Sequence, residues 1–238
     1  GGSALAADMV KTLLKDKIAV PIEVVKGYDL PSYVGGSTLV VAISHSGNTE
    51  ETLDCYDQAR QAGSMVAVMA TGGKLFDWAS EDGVLRARVP GGAQPRMSTV
   101  YHLRVLLKLL QQFNLIDDTV FNQVGEASEF LSYWLGEWVA ERPAEHNYAK
   151  QLAEQTVGKT ALFYGGELTA PTAYKWKISW NETAKNVSFY NQYPEFSHNE
   201  FMSWTSHPAE KPFAVFDIQS SYERPRIAER MNLTDRML

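Results

Sequence analysis

The stretch Ser37–Leu53, STLVVAISHSGNTEETL, decides the fold of this chain. Its first part, 38–43, is an unbroken run of β-branched and apolar residues, which is typical of a strand covered on both faces. A turn rich in serine and threonine follows, and Asn48 with Glu51 fits a capping box that predicts the start of a helix. The sequence therefore predicts a buried strand that enters a helix through a polar turn.

The polar turn also indicates a ligand. The first N–H groups of a helix have no partner within the helix and can bind an anion, and the hydroxyls of Ser44, Ser46 and Thr49 lie beside them. The turn contains neither a GxxxxGK[ST] nor a GxGxxG pattern, which argues against a nucleoside triphosphate and against a dinucleotide. A phosphate ester is the predicted ligand; the plainer interpretation is an ordinary serine-rich connection between strand and helix.

Composition excludes several classes of protein. The 238 residues are 45% hydrophobic, which is enough for a sizeable core in one large or two small domains. A net charge of −6 argues against a general nucleic-acid binder. The single cysteine, Cys55, rules out an internal disulfide and suits a reducing cytoplasm, and no apolar run predicts a membrane span or a signal peptide.

Strands and helices alternate along the chain, which predicts βαβ units with parallel sheets. The strand that ends at Gly165-Gly166 repeats the opening Gly1-Gly2, so two related halves are expected. The expected strands are 21–28, 38–43, 65–70, 85–89, 160–164, 187–190 and 213–218, and the expected helices are 3–14, 49–62, 74–80, 100–113, 117–157, 170–184 and 221–238.

Three parts are expected along the chain. A first subdomain with the polar turn covers 1–115, a helical connection covers 116–157, and a second subdomain covers 158–238. The chain opens without Met in what reads as a glycine-rich turn, and it stops within an expected helix. We therefore expect a fragment of a longer protein that lacks an N-terminal strand and C-terminal elements.

Two further motifs, WNETAK at 180–185 and YPEFSHNE at 193–200, point to the chemistry. Together with the initial GGSA, the SHSGNTEET turn and the PR of the loop at 90–99, they resemble the bifunctional phosphoglucose/phosphomannose isomerases, a branch of the phosphoglucose isomerase superfamily. The S-x-S-G-x-T pattern of the turn itself resembles the phosphosugar-binding turn of the sugar isomerase (SIS) fold. The resemblance spans nearly the whole chain and implies an α/β fold of two SIS-type subdomains, each a parallel sheet flanked by helices in a three-layer αβα sandwich.

The resemblance assigns roles to particular residues. Glu182 of the N-E-x-x-K motif falls on the proton-transfer base, His198 of the H-N-E motif on the ring-opening residue, and Arg96 on the residue that stabilises the enediolate. The family also uses a lysine near its C-terminus, which we expect beyond the end of this chain. The implied substrate-binding residues are Gly2, Ser3, Ser44, Ser46, Thr49, Arg96 and His198.

Elementary chemistry agrees with these roles. Interconverting an aldose and a ketose phosphate needs a group that opens the ring, a carboxylate that moves a proton between C1 and C2, a cation for the enediol oxygen and an anion site for the phosphate. His, Glu and Arg can supply the first three. The implied reaction is the interconversion of glucose 6-phosphate, and of mannose 6-phosphate, with fructose 6-phosphate through a cis-enediol, without a cofactor.

No metal is expected, because the five histidines are scattered and form neither HxH nor HExxH. His45 is expected to point away from the hydroxyls of the turn, and His102, His146 and His207 are expected to be structural. The expected partners are a 6-phosphosugar and a second copy of the chain, in a cytoplasmic homodimer that shares its active site. Neither nucleic acid nor a membrane is expected as a partner.

Plainer alternatives exist for each assigned residue and for the whole chain. Glu182 would be a surface acid, His198 a helix cap and Arg96 the partner of a nearby acid. A non-catalytic, phosphosugar-sensing SIS module would need the polar turn but not Glu182 together with His198. Another SIS enzyme, such as an amidotransferase isomerase domain or a heptose isomerase, would keep the turn, but the H-N-E motif argues against it.

Overall fold

A computed structural model describes residues 2–206 and 212–237. These residues form an α/β protein with two compact units, the first ending at Phe121 and the second beginning at Asn122. Each unit contains a three-stranded parallel sheet with helices packed on it, which confirms the predicted fold class. The finer division into three parts stays a prediction. Three residues named in the sequence analysis lie outside the described residues: Gly1, His207 and Leu238.

The first unit is built on three parallel strands in the order β1-β2-β3. Val41 pairs with Ala67, and Ala67 pairs in turn with Leu85, so β2 is the central strand. Residues 67–70 of β2 are all 0% exposed, as expected for a parallel strand covered on both faces. The elements are α1 (Gly2–Leu13), β1 (Leu39–Ile43), α2 (Glu50–Gln61), β2 (Met65–Ala70), α3 (Gly73–Glu81), β3 (Leu85–Arg88) and α4 (Thr99–Gln112).

Helices cover the sheet of the first unit. On one face, Ala42 and Val68 of the strands pack with Tyr56 of α2 and Leu75 of α3. Helix α1 packs on α4, and Leu107 of α4 is fully buried. This packing holds the carboxyl ends of β1 and β2, and hence the polar turn, in a fixed position.

The second unit repeats this plan with the strand order β5-β4-β6, in which all pairs are parallel. Leu162 pairs with Phe189 on one side and with Val215 on the other, so β4 is central. Helix α5 (Asp118–Glu137) begins in the first unit and ends in the second. The remaining elements are α6 (Tyr148–Thr156), β4 (Thr160–Gly165), α7 (Ala170–Ser179), β5 (Ser188–Gln192), α8 (Glu200–Ser203), β6 (Phe213–Ile218) and α9 (Pro225–Asp235).

Alternate residues of β4 pack into two separate clusters because successive side chains of a strand point to opposite faces. Leu162 and Tyr164 contact Tyr193, Phe196 and residues of α9. Ala161 and Phe163 contact Ala173 of α7, together with the partly buried Trp180 and Phe216. The two clusters fix the positions of α7 and of the segment that follows β5, and these carry the predicted catalytic residues of this unit.

The expected strand at 21–28 is absent, because this segment has no regular secondary structure. It is held by side-chain bonds from α2 instead of by a neighbouring strand. Gln58 donates from Nε2 to the carbonyl oxygen of Tyr28 at 2.7 Å, and its Oε1 accepts the N–H of Leu30 at 3.0 Å. Ile22, Val24 and Val25 form an apolar pattern that is typical of a strand, but a strand also requires a neighbouring strand to pair with.

The expectation that Asn48 caps α2 was also wrong. The side chain of Asn48 accepts the N–H of Lys74 at 3.1 Å and so serves α3, while Thr49 is the N-cap of α2 and makes no side-chain cap bond. The stretch expected to be helical at 117–157 contains two helices, α5 and α6. Pro143 lies between them, and a proline cannot donate the bond that a continuous helix needs.

Candidate active site

The polar turn after β1 is held together by its own hydroxyls. The Ser44 hydroxyl accepts the N–H of Gly47 at 3.0 Å and lies 2.8 Å from Oγ1 of Thr49. The Ser46 hydroxyl accepts the N–H of Asn48 at 3.2 Å. Ser44 is only 2% exposed, whereas Ser46 and Thr49 are exposed. Ser44 therefore shapes the turn from inside, and Ser46 and Thr49 present their side chains to solvent.

A second segment, Gly72–Gly73, where β2 leads into the start of α3, packs directly on the turn. Gly47 has a φ of +72°, and a Cβ atom there would overlap the carbonyl oxygen of Gly72. Gly73 has a φ of +76°, and a Cβ atom there would overlap the carbonyl oxygen of Ser46. Only glycine satisfies both the backbone angle and the close approach. The sequence analysis missed this role of Gly72–Gly73, although two adjacent glycines after the second strand were a usable signal.

The N-terminus of α1 and the loop after β3 approach the same turn. The backbone N–H of His45 donates to the Ser3 hydroxyl at 3.1 Å. A Cβ atom on Gly2 would lie 2.8 Å from the carbonyl oxygen of Pro95, the residue before Arg96. Arg96 is half-buried within a short 3-10 turn. The first unit thus brings its predicted site residues together at the carboxyl ends of its strands, where ligands bind in open α/β sheets.

The ring of His45 is engaged by the loop after β3. Its Nε2 lies 3.1 Å from the carbonyl oxygen of Ala93, and its ring centroid lies 5.3 Å from that of His102. His102 is fully buried, with Nδ1 2.9 Å from the carbonyl oxygen of Ser98. Burial lowers the pKa of His102. Both histidines therefore support the loop that carries Arg96, in keeping with the structural role predicted for His102.

This arrangement suits a phosphate ester more than a simple carboxylate. Ser46 and Thr49 supply hydroxyls, the first turn of α2 supplies N–H groups, and the backbone of Pro95 and Arg96 lies close to Gly2. Glu50 and Glu51 also lie in the first turn of α2, where their exposed or half-exposed carboxylates stabilise the helix dipole. Their negative charge repels a bound anion. A ligand with several acceptor oxygens is therefore held mainly by hydrogen bonds from the hydroxyls.

Glu182 lies in a single π-helical turn, Trp180–Ala184, which follows α7. Such turns occur often at functional sites. Lys185 ends the turn in the left-handed conformation, with a φ of 56°. The neighbouring Asn181 donates from Nδ2 to the hydroxyl of Ser188 at 3.0 Å. This bond places the half-buried Glu182 beside the amino end of β5.

His198 is exposed at the end of a short 3-10 turn, Glu195–His198, that follows β5. Phe196 of this turn is 0% exposed and packs 4.5 Å from the ring of Tyr164, measured between centroids. Glu195 accepts a hydrogen bond from Nδ2 of Asn199 at 2.7 Å. The turn therefore holds an exposed imidazole on a well-anchored backbone.

Glu200 anchors the other side of His198. It accepts hydrogen bonds from the Tyr164 hydroxyl and, at 2.6 Å, from Nδ2 of Asn191. Burial and the carboxylate of Glu200 raise the pKa of Tyr164, so its hydroxyl remains a donor at neutral pH. The backbone N–H of Glu200 donates to Oδ1 of Asn199 at 2.6 Å. The acidic and amide residues of the P-E-x-x-H-N-E motif thus stabilise the segment in which His198 lies.

Within one chain, the two predicted catalytic residues lie at opposite ends of β5. The residue before Glu182 is bonded to Ser188, the first residue of the strand, and Glu200, close to His198, is bonded to Asn191 near its other end. A rise of about 3.3 Å per residue separates the two ends by roughly 13 Å. The second unit therefore does not bring Glu182 and His198 together.

Within the described ranges, 2–206 and 212–237, no group of three or more His, Cys, Asp or Glu side chains is arranged to hold a metal ion. No helix within the same ranges has the length and apolar character that a bilayer crossing requires.

Comparison with known proteins identifies relatives in sequence and in structure. Residues 145–238 match the family described as the bacterial phospho-glucose isomerase C-terminal SIS domain. A bifunctional phosphoglucose/phosphomannose isomerase from Caldicellulosiruptor bescii is 34% identical over 98% of this chain and 69% of that protein. A D-glucosamine-6-phosphate 4-epimerase from Sulfolobus acidocaldarius is 31% identical over 85% of this chain and 69% of that protein. The structure of tagatose-6-phosphate ketose/aldose isomerase from Escherichia coli superimposes with a TM-score of 0.65 at 17% identity, covering 96% of this chain and 62% of that one.

The fold, the hydroxyl-rich turn at the carboxyl end of a parallel strand and the match to a SIS-domain family define a protein of the SIS class. The sequence identity, which extends over nearly the whole chain, then identifies the family within this class. This chain belongs to the bifunctional phosphoglucose/phosphomannose isomerase family, as its motifs predicted.

Proposed function

We infer that this protein is an aldose–ketose isomerase that interconverts glucose 6-phosphate, and mannose 6-phosphate, with fructose 6-phosphate. The observation that carries this conclusion is the 34% identity over 98% of the chain to a relative with that pair of activities in its name. The chain also contains a histidine, a carboxylate, an arginine and an anion-binding turn for the four tasks that the reaction requires. Phosphosugar sensing without catalysis is disfavoured, because it would leave the Glu182 and His198 motifs without a function.

The first unit is proposed to bind the phosphate and the charged intermediate. Ser46 and Thr49 would donate hydrogen bonds to the phosphate, and Gly2 and Ser3 would contact the sugar. Their convergence around one turn supports this proposal. Arg96 would stabilise the enediolate oxygen, since a guanidinium stays positively charged throughout the reaction. Ser44 would act mainly by holding the turn in shape.

The second unit is proposed to move the protons. His198 would protonate the ring oxygen while the anomeric hydroxyl loses its proton, which opens the ring to the aldehyde. Glu182 would take the proton from C2, leaving a cis-enediol, and would return that proton to C1. As the enediol forms, the carbonyl oxygen at C1 gains a proton. As C1 takes up its proton, the hydroxyl at C2 loses one and becomes the carbonyl of the ketose.

A homodimer with a shared active site is proposed as the working form. Because Glu182 and His198 lie at opposite ends of β5, a site that uses both would take the histidine from a second copy. A cytoplasmic location is proposed from the single cysteine, which is only partly buried and forms no disulfide.

A second candidate activity has support from one relative. The identity of 31% to the glucosamine-6-phosphate 4-epimerase covers 85% of this chain, so the same scaffold is compatible with chemistry at another carbon and with an amino sugar. Epimerisation at C4 would leave the carbonyl at C1 and would need no transfer between C1 and C2. Product analysis therefore separates the two candidates.

One assay decides between these functions. The complete natural protein is incubated with fructose 6-phosphate, and glucose 6-phosphate and mannose 6-phosphate are measured; parallel reactions contain EDTA or use glucosamine 6-phosphate. We expect both aldose phosphates to form, with no effect of EDTA. Turnover of glucosamine 6-phosphate to its C4 epimer without turnover of fructose 6-phosphate would overturn the assignment, and binding without any turnover would favour a sensor.

A further inference from the structure

Two histidines of the first unit bind the loop that carries Arg96, one on each side of that residue. Nε2 of His45 lies 3.1 Å from the carbonyl oxygen of Ala93, which precedes Arg96. Nδ1 of His102 lies 2.9 Å from the carbonyl oxygen of Ser98, which follows Arg96. The two ring centroids are 5.3 Å apart. Two adjacent imidazoles thus hold the backbone of one short loop at two points.

These contacts determine the tautomer of each ring. A carbonyl oxygen can only accept a hydrogen bond, so the ring nitrogen that faces it carries the proton. His45 is therefore protonated on Nε2 and His102 on Nδ1. Nδ1 of His45 and Nε2 of His102 are buried and have no hydrogen-bond partner among the described residues. Burial lowers the pKa of His102, which keeps this ring neutral at neutral pH.

Packing alone does not explain the two imidazoles. A buried nitrogen without a partner costs stability, whereas an apolar side chain of similar size fills the same space without that cost. Helix α4, which contains His102, also buries Leu103 and Leu106, so leucine would suit this helix. The imidazoles contribute what leucine cannot, which is a hydrogen bond from each ring to the loop.

The backbone of His45 joins this loop to the polar turn and to two further segments. His45 lies between Ser44 and Ser46 of the turn. Its N–H donates to the Ser3 hydroxyl at 3.1 Å. Its carbonyl oxygen accepts the N–H of Thr71 at 3.0 Å and the Thr71 hydroxyl at 2.7 Å. Because its backbone and its ring are both bonded, His45 links the position of the turn to the position of the loop.

The loop between the two contact points is also bonded internally. The N–H of Met97 donates to the carbonyl oxygen of Gln94 at 2.8 Å, and the N–H of Ser98 donates to that of Pro95 at 3.1 Å. A short loop that is held at both ends and bonded within itself leaves little freedom to its backbone. The position of the Arg96 backbone is therefore set by the two histidines.

We propose that His45 and His102 are positioning residues for Arg96, which together hold its loop in place beside the phosphate-binding turn. The proposal rests on the proposed function, because that function gives the turn and Arg96 their tasks. It adds two residues that are assigned neither to the phosphate nor to the reacting carbons. A guanidinium stabilises an enediolate only if its donors are already aimed at that oxygen, and a displacement of about 1 Å can cost roughly 100-fold in rate.

Hydrogen exchange of the complete natural protein tests the contact without reference to turnover. His45→Leu and His102→Leu remove the bonds to the loop, so the amides of Met97 and Ser98 should exchange roughly 2- to 10-fold faster. His45→Gln and His102→Asn place an amide donor near the positions of Nε2 and Nδ1, respectively, and should exchange like wild type. His146→Leu, at an exposed histidine, is the control. Unchanged exchange of the loop in both leucine variants would overturn the proposal.

Steady-state kinetics tests the effect on the reaction. The leucine variants should lower kcat by about 10- to 100-fold and keep KM within about 3-fold of wild type, because Arg96 acts on charge that develops only in the transition state. His45→Gln and His102→Asn should restore kcat to within about 3-fold of wild type. A higher KM with unchanged kcat, or equal losses in the leucine and amide variants, would contradict the positioning role.

The two measurements separate this proposal from the proposed function. A wild-type protein that does not isomerise sugar phosphates would contradict the proposed function, and hydrogen exchange would still show whether the histidines hold the loop. An active protein whose leucine variants exchange faster but turn over normally would overturn the positioning of Arg96 alone. The two histidines are tested separately, so a variant that does not fold leaves the other histidine to decide.

Discussion

Ser44 and Ser46 are two positions apart, yet their hydroxyls have different surroundings. The Ser44 hydroxyl is buried and accepts the N–H of Gly47, whereas Ser46 is exposed at the edge of the turn. The sequence pattern assigned both to the phosphate. The structure supports a division of roles in which Ser44 maintains the turn and Ser46, with Thr49, is available to a ligand.

Replacing each serine should therefore have a different effect. Ser46→Ala should weaken binding of a 6-phosphosugar by roughly 10- to 100-fold, because a hydrogen bond to a charged group contributes about 1.5–3 kcal/mol. It should leave binding of the unphosphorylated sugar unchanged. Ser44→Ala should lower the free energy of unfolding by about 1–3 kcal/mol, since the N–H of Gly47 loses its acceptor.

Calorimetric titration and thermal unfolding measure the two effects, with the exposed Ser37→Ala as the control. Equal losses of affinity for phosphorylated and free sugars in Ser46→Ala would mean that this side of the turn does not hold the phosphate.

Glu182 is the residue on which the proposed chemistry depends most. Glu182→Gln preserves the shape of the side chain but removes the base, so turnover should fall by about 10²–10⁴ or more while substrate affinity is retained. Steady-state kinetics in deuterium oxide adds a direct readout, because the transferred proton exchanges with solvent while it is on the carboxylate. Wild-type product should carry deuterium, and the exposed Glu154→Gln should behave like wild type. Near-normal turnover of Glu182→Gln would refute its role.

At the scale of elements, three apolar strands were predicted well. Runs of apolar residues at 38–43, 65–70 and 160–164 coincide with β1, β2 and β4. The central strands β2 and β4 are mostly buried, whereas β1, predicted to be buried, lies at the edge of its sheet and is mostly half-buried. Motif residues could also be placed on turns at the ends of these strands. This part of the candidate site follows from local sequence.

Contacts between distant segments could not be predicted in the same way. The sequence gives no sign that Asn48 caps α3 and not its own helix, because Lys74 is brought to it by the packing of two loops. The partners of Glu200 are Tyr164 and Asn191, which lie on two different strands. These bonds exist only once the sheet has formed, so they are properties of the fold and not of the motif.

A buried carboxyl group in the second unit predicts a pH dependence of stability. Both oxygens of Asp217 on β6 are buried, and Asp235 of α9 and the Tyr193 hydroxyl are the titratable groups that act on it. Burial, together with Asp235, raises the pKa of Asp217 to about 8. A raised carboxyl pKa means that the folded protein holds a proton that the unfolded chain loses near pH 4. Its stabilising contribution is complete below that pH and is lost as the pH rises toward 8.

The melting temperature of Asp217→Asn should therefore decrease less between pH 5 and pH 8 than that of wild type. At pH 8 the variant should melt higher than wild type by at least about 2–4 °C, the shift that about 1 kcal/mol produces in a chain of this size. Thermal unfolding monitored by circular dichroism measures this, with the exposed Asp77→Asn as the control. Parallel pH profiles for wild type and Asp217→Asn would show that Asp217 does not hold the proton.

At the scale of the whole molecule, the positions of Glu182 and His198 at opposite ends of β5 determine whether one chain can form the proposed active site. Sequence spacing alone left two possibilities, because a loop after Tyr190 that folds back would bring His198 to Glu182 in one chain. In the structure, Phe196 and Glu200 bind the segment to Tyr164, at the carboxyl end of β4, and this keeps His198 away from the start of β5. Assembly is therefore part of the proposed mechanism.

Mixing two inactive variants tests this account most directly. Glu182→Gln and His198→Ala, each prepared as the complete natural protein, are combined under conditions that allow subunits to exchange, and exchange is confirmed with a fluorescent label. In a mixed dimer with shared sites, one site carries both changes and the other carries none. Statistical mixing places about half of the dimers in this class, so activity should recover toward about one quarter of wild type. No recovery, despite confirmed exchange, would show that each chain builds its own active site and would contradict the account.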